Sequence, residues 1–388
     1  VNKNNGSLNW YWVLGQIHLE FTSNSEAALF HYQNGLLALK AKVADIDNVS
    51  AEELEVLCRS LHEHEFHELL FCKKVDTKTA QVYLNYYLQI SRYAVKKFGV
   101  TEERLRHISV AIEKVADLES KNESGVKTAE AGYKEALQIS RNIVARFGPD
   151  AVRLNYISNT LSKLGTLVSC NSNDSGASEE YFSESLQIMS DVVEQFGASP
   201  NVLDSIVVTR TKFGDVALRA AKSSRGMKVY EDIKTAEAHY NDALKVSRNL
   251  TEQFGATPRR LALVSFVLSR LGERPQLSNI EDANTAKAYL SEAVQTNRYI
   301  LKQFGATPHR LRAISFSLVK LGDFAFRAFR LSNGAKDAEL NYREALKVDV
   351  EIIEQYGTSY ERLNNMAAIY QRMAKVCKVQ KRFKESSH

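Results

Sequence analysis

Two sets of side chains in this sequence have the types and spacing that chemistry would need: a histidine cluster and a recurring basic column. The cluster is Leu61-His62-Glu63-His64-Glu65-Phe66-His67-Glu68. On a helix, His64 with Glu68 and Glu63 with His67 share faces, and imidazole with carboxylate is a metal-ligand combination. The zincin motif, however, sets two residues between its glutamate and second histidine, and His64-Glu65-Phe66-His67 leaves one. Cys58 and His62 form another i, i+4 pair that points elsewhere. No complete ligand set can be assembled, so the expectation is a polar helix face without metal. No glycine-rich phosphate loop, nucleophile elbow or kinase signature is present. Neither a catalytic residue nor a cofactor is expected, and the chain reads as a non-enzyme.

The second set is Lys114, Lys163, Lys212, Arg270, Lys320 and Arg372, each fifteen residues after a glycine that follows an aromatic residue. All six copies are basic, although only 51 of 388 residues are Lys or Arg. On a helix the column would sit roughly 150° from the leucine stripe described below, facing away from the core. Five copies add arginine at the fifth position: Arg104, Arg153, Arg260, Arg310 and Arg362. Such a ladder could form a basic track for a partner. Inherited, solvated surface is the plainer reading, because duplicated units keep an exposed lysine and its stem covers apolar neighbours. Tyr156, Asn159, Phe266 and Phe316 project near the column and would supply contacts. A third column, Arg92, Arg141, Arg248 and Arg298, is expected to pin adjacent hairpins by bonding helix-end carbonyls.

The elements that carry these columns follow from an internal repeat. The pairs Phe98-Gly99, Phe147-Gly148, Phe196-Gly197, Phe254-Gly255, Phe304-Gly305 and Tyr356-Gly357 have glycine spacings of 49, 49, 58, 50 and 52 residues. Before each pair runs a stripe such as Ala236, Tyr240, Ala243, Leu244 and Leu250, an amphipathic helix of about twenty residues. The glycine is expected to end it in a left-handed cap. Thr257-Pro258, Thr307-Pro308 and Ser199-Pro200 then read as an N-cap hydroxyl and a first-turn proline. The helix that follows carries Leu261, Val264, Leu268 and Leu271, with a second stripe of small residues, Ser265, Ser269 and Gly272, for close packing. Neither helix can bury its apolar face alone, whereas stacked hairpins can.

The Leu-Gly of Leu164-Gly165, Leu271-Gly272 and Leu321-Gly322, followed by Ala-x3-Tyr-x2-Ala-Leu, resembles the tetratricopeptide repeat. Tyr11, Leu14, Gly15, His18 and Ala27 match it at nearly the family's own spacing. The longer units resemble repeats of large bacterial regulatory and defence-associated proteins. That resemblance implies an all-α solenoid of antiparallel hairpins over 1–388: a near-classical hairpin at 1–48, a degenerate one at 49–99, regular long repeats at 100–357 and a capping helix at 358–388. The degenerate unit is opened by a capping box from Ser50 to Glu53. The connection between helices is expected to be longest around Gly226 to Ile233. The first segment starts mid-helix near Trp10 and Trp12, which raises the expectation of a preceding segment and of a larger assembly.

Composition agrees. A net charge of +5 from 51 basic and 46 acidic residues does not by itself imply nucleic acid or membrane. No apolar run is long enough for a membrane span. Cys58, Cys72, Cys170 and Cys377 form no CxxC pair, which fits a reducing, cytoplasmic compartment. The expected function is to hold a partner protein or peptide, an acidic one if the ladder is a track. Nucleic acid along the ladder is the alternative, which the interspersed Glu103 and Glu361 disfavour.

Overall fold

The computed structural model describes residues 25–63, 77–171, 175–273, 280–328 and 334–386. Among these residues every long element is an α-helix and there is no strand. Two compact units divide the chain, 1–197 and 198–388. In the first lie α1 (Ser25–Ala44), α2 (Ala51–Glu63), α3 (Thr77–Phe98), α4 (Glu102–Glu119), α5 (Val126–Phe147), α6 (Ala151–Asn171) and α7 (Ser175–Phe196). In the second lie α8 (Pro200–Ser223), α9 (Met227–Phe254), α10 (Pro258–Gly272), α11 (Ile280–Phe304), α12 (Pro308–Arg327), α13 (Gly334–Tyr356) and α14 (Tyr360–Ser386). Within each unit, a first and second helix pack extensively as a hairpin, and the second helix packs next on the first helix of the following hairpin. The fold is an all-α helical-repeat solenoid of tetratricopeptide-like hairpins.

The repeat grammar acts at each joint. Thr257 and Thr307 accept from the backbone N–H of Arg260 and Arg310 at 3.3 and 3.2 Å, with proline in the first turn. Ser50 and Glu53 exchange the two bonds of a capping box, each at 3.2 Å. The aromatic-glycine joint differs from the expected left-handed cap. Gly148 and Gly255 have φ of 81° and 82°, but ψ of 164° and 156°. Their ψ is extended, in a region of backbone space open essentially to glycine alone. The chain thereby leaves one helix and enters the next within a few residues.

The small-residue stripe is tight for a physical reason. A Cβ on Gly272 would lie 2.3 Å from Leu290 Cγ, and one on Gly322 2.6 Å from the Tyr342 ring. Ser158 and Ser185 bond at 2.7 Å across α6 and α7. The serines thus satisfy each other where helices approach closely. The long connection expected around Gly226 is absent: α9 starts at Met227 and runs for 28 residues. The extra residues of that repeat lengthen helices, which adds backbone hydrogen bonds where a loop would have none.

Candidate partner-binding surface

All six residues of the basic column are half-buried, not turned wholly to solvent. The sequence missed the cause, an acidic column eighteen residues after the glycine. Asp117, Asp215, Glu273 and Asp323 occupy it, and each lies on the first helix one repeat before a column cation. Lys163 Nζ is 2.8 Å from Asp117 and 2.5 Å from Glu113. Arg270 is 3.2 Å from Asp215 and 3.2 Å from Glu273 of its own helix. Arg372 Nε is 2.9 Å from Asp323, and Lys320 pairs with Glu273. Lys114 and Lys212 also have partners.

The same aspartates receive a second bond from within their own hairpins. The hydroxyls of Tyr133, Tyr240 and Tyr342 donate to Asp117, Asp215 and Asp323 at 2.7, 2.6 and 2.7 Å. One carboxylate therefore joins three helices: its own, the second helix of its hairpin through tyrosine, and the next first helix through lysine or arginine. Burial and the neighbouring carboxylate raise the pKa of all three phenols far above the usual tyrosine value. At Lys163 burial favours the neutral amine, but Glu113 and Asp117 outweigh it and the pKa stands above the ordinary lysine value. The column remains cationic, with its charge largely matched inside the chain.

The other arginine columns also join elements, with roles exchanged relative to expectation. Arg153 Nη1 donates to the carbonyls of Phe147 and Gly148, both at 2.8 Å. Arg104, Arg260, Arg310 and Arg362 repeat the pattern at their own aromatic-glycine joints. This column, not Arg92 and its equivalents, caps the helix-end carbonyls. Arg92, Arg141 and Arg248 instead reach Glu135, Glu184 and Glu292 on the next second helix at 2.8, 2.5 and 2.6 Å, and Arg298 reaches Glu344. A guanidinium one turn and a half before the helix end points along the stack, too far from the carbonyls to bond them.

Apolar surface remains beside the column in the second unit. Phe266 on α10 and Phe316 on α12 hold the same repeat position and are 44% and 55% exposed. Val208 on α8 precedes them at 39%. Arg270 lies 5.2 Å from the centroid of the Phe266 ring, and Lys320 5.1 Å from that of Phe316. In the first unit the same position is buried Val110 and half-buried Asn159, and Tyr156 packs partly against the core. The apolar row is thus a feature of the second unit.

The histidine cluster from His64 to Glu68 lies outside the described residues, as do Tyr11, Leu14, Gly15 and His18. Among the described residues no group of three His, Cys, Asp or Glu is arranged to hold a metal, and no helix is long and apolar enough to cross a membrane. Cys58 is buried beside Ser91, and burial raises its thiol pKa to about 11.

No protein-family model and no curated protein matches this chain. Solved structures similar to it are helical-repeat proteins. The S. pombe nuclear import adaptor Nro1 is 12% identical over 81% of this chain and 98% of that one, with a TM-score of 0.42. A human IFIT1 dimer with PPP-AAAA is 11% identical over 100% and 95%, with a TM-score of 0.25. Yeast Tom70 is 10% identical over 98% and 97%, with a TM-score of 0.20. These likenesses concern helical architecture, at identities too low to align side chains by role.

Proposed function

We propose that the chain is a binding scaffold, not a catalyst, and that it holds a partner protein or peptide on the first-helix face of the second unit. The observation that carries this reading is the pair Phe266 and Phe316. Two half-exposed phenyl rings recur at one position on neighbouring first helices, each beside a cation. Aromatic side chains presented in this way supply much of the affinity of protein interfaces, and a cation on one side keeps the ring from collapsing inward. Arg270 and Lys320 retain donor capacity for a partner's carboxylates or carbonyls. Because acidic residues of the chain already match the column, the preferred partner is apolar at its centre, with acidic groups only at its rim.

The same matching weakens the nucleic-acid reading, since a phosphate backbone would have to displace Asp215, Glu273 and Asp323 from the cations. The dispersed cysteines support a cytoplasmic setting. The resemblance to elongated bacterial repeats supports a part in a regulatory or defence assembly. Selection of random peptides on the full chain tests the reading. Sequences rich in apolar residues should be enriched, and Phe266→Ser with Phe316→Ser should weaken their binding tenfold or more. Binding that ignores both substitutions, or that falls steeply with salt, would refute it.

A further inference from the structure

The second unit carries another unfilled surface, on α13 and α14. In the hairpin before it, the first helix α12 buries Leu311, Ser315, Leu318 and Gly322 beneath its second helix α13. The same repeat positions on α14 are Leu363, Ala367, Tyr370 and Ala374, and all four are exposed. The rhythm is kept, with small residues at the two positions where a second helix comes closest and large apolar residues between them. Ala374 stands where Gly322 admits the Tyr342 ring. On the adjoining α13, Leu340 and Val350 are exposed and line one open groove with Lys347, Tyr370 and Met373.

Two substitutions in the repeat pattern say what the groove would accept. Position eighteen, an aspartate that receives a tyrosine hydroxyl in three hairpins, is the exposed Lys375 on α14. The arginine that reaches a glutamate on the next second helix is replaced by Val350 on α13. A helix copied from the chain's own second helices would set its tyrosine against Lys375. A helix with a carboxylate there, and an apolar residue opposite Val350, fits both changes. Lys378 continues the positive edge along α14.

We infer that the α13–α14 groove docks an acidic amphipathic helix of a partner protein, seated as the second helix of a further hairpin. The exposed face from Leu363 to Cys377 is about 21 Å long at helical rise, or roughly four turns of contact. Such a helix would cover the small-residue stripe by the same close packing the chain uses internally, and an ion pair with Lys375 would fix its register. This site is separate from the Phe266–Phe316 row and does not depend on it.

The test uses the full chain and two fluorescein-labelled peptides, one of residues 334–356 and one of the same residues with Tyr342→Glu. The glutamate peptide should bind saturably and at least tenfold more tightly than its parent. Lys375→Glu should remove that preference, and Ala374→Trp, a change on an exposed surface, should abolish binding without lowering the melting temperature. Phe266→Ser with Phe316→Ser should leave binding unchanged. The proposal falls if neither peptide binds, if Ala374→Trp binds as well as the parent chain, or if binding follows the phenylalanines. Sedimentation showing that the chain covers this face with a second copy of itself would also overturn it.

Discussion

Arg270 lies 3.2 Å from Asp215, which precedes it by one repeat on the neighbouring first helix. Asp215 also accepts the Tyr240 hydroxyl, so the pair ties a hairpin closed and joins it to the next in one contact. About a third of each charged side chain is exposed. The pair is thus partly screened but not a solvated surface ion pair.

From this contact the first prediction follows. Reversing Arg270 to glutamate should destabilise the chain, because it sets three carboxylates together at one joint. Arg270→Gln should cost about 1 kcal/mol and Arg270→Glu about 2–3 kcal/mol, measured by urea denaturation. Combining Asp215→Arg with Arg270→Asp should recover part of the loss. The basic column taken alone suggests that reversal would leave melting unchanged. An unchanged midpoint would mean that the observed pairing contributes nothing.

Much of the architecture was legible in the sequence because the joint residues have no alternative use. Thr-Pro at a helix start and glycine at its end are dictated by backbone geometry, and the caps at Thr257 and Thr307 show that logic directly. The ψ of the glycines was not legible, since glycine is equally suited to left-handed and extended ψ at positive φ. The basic column was visible, but its burial was not. A helical wheel places Lys163 opposite its own stripe, while Asp117 on another helix decides what covers it. The acidic column was available at a fixed spacing from the same glycines. Its partners become evident only once adjacent first helices are known to touch.

The second prediction separates two uses of glycine. An added Cβ at Gly255 meets nothing within 4 Å, so Gly255→Ala should cost about 1–3 kcal/mol through backbone strain alone. Gly272→Ala should cost a similar amount for the opposite reason, because its ordinary helical backbone presses the Cβ into Leu290. Shortening the neighbour by Leu290→Ala should partly rescue the second variant in a double-mutant cycle. No neighbour can rescue the first.

The third prediction concerns the joint arginines. Arg260 donates to the Phe254 and Gly255 carbonyls, the latter at 2.9 Å, and lies 5.9 Å from the Phe254 ring centroid. Arg260→Ala should cost about 1 kcal/mol, and lysine should restore only part of it, because an ammonium lacks the planar fork. Hydrogen exchange should show the loss as faster opening of the last turn of α9. Equal protection in the arginine and alanine forms would show that water caps these carbonyls as well.

The last prediction concerns Asp349, where a carboxylate takes the buried position that Ser91, Ser140 and Ser247 hold in other repeats. It is 6% exposed, and its Oδ2 finds no donor among the described residues. Burial raises its pKa above the ordinary aspartate value, while a hydrogen bond with Ser315 and the charge of Arg312 oppose the shift without cancelling it. The sign follows from linkage. A folded-state pKa above the unfolded one means that the folded chain holds the proton more tightly, so the contribution is favourable at low pH and is lost as pH rises through the folded pKa. At neutral pH the buried charge is therefore a burden, and Asp349→Ser should raise stability by about 1–2 kcal/mol, the range for an unsatisfied buried group. As pH falls below the folded pKa toward the unfolded value near 3.9, that advantage should shrink, since the aspartic acid becomes neutral and can donate. Urea denaturation of both forms across this range measures the difference directly. An advantage independent of pH would assign the effect to side-chain volume, and a destabilised serine variant would show that the carboxylate has a favourable partner.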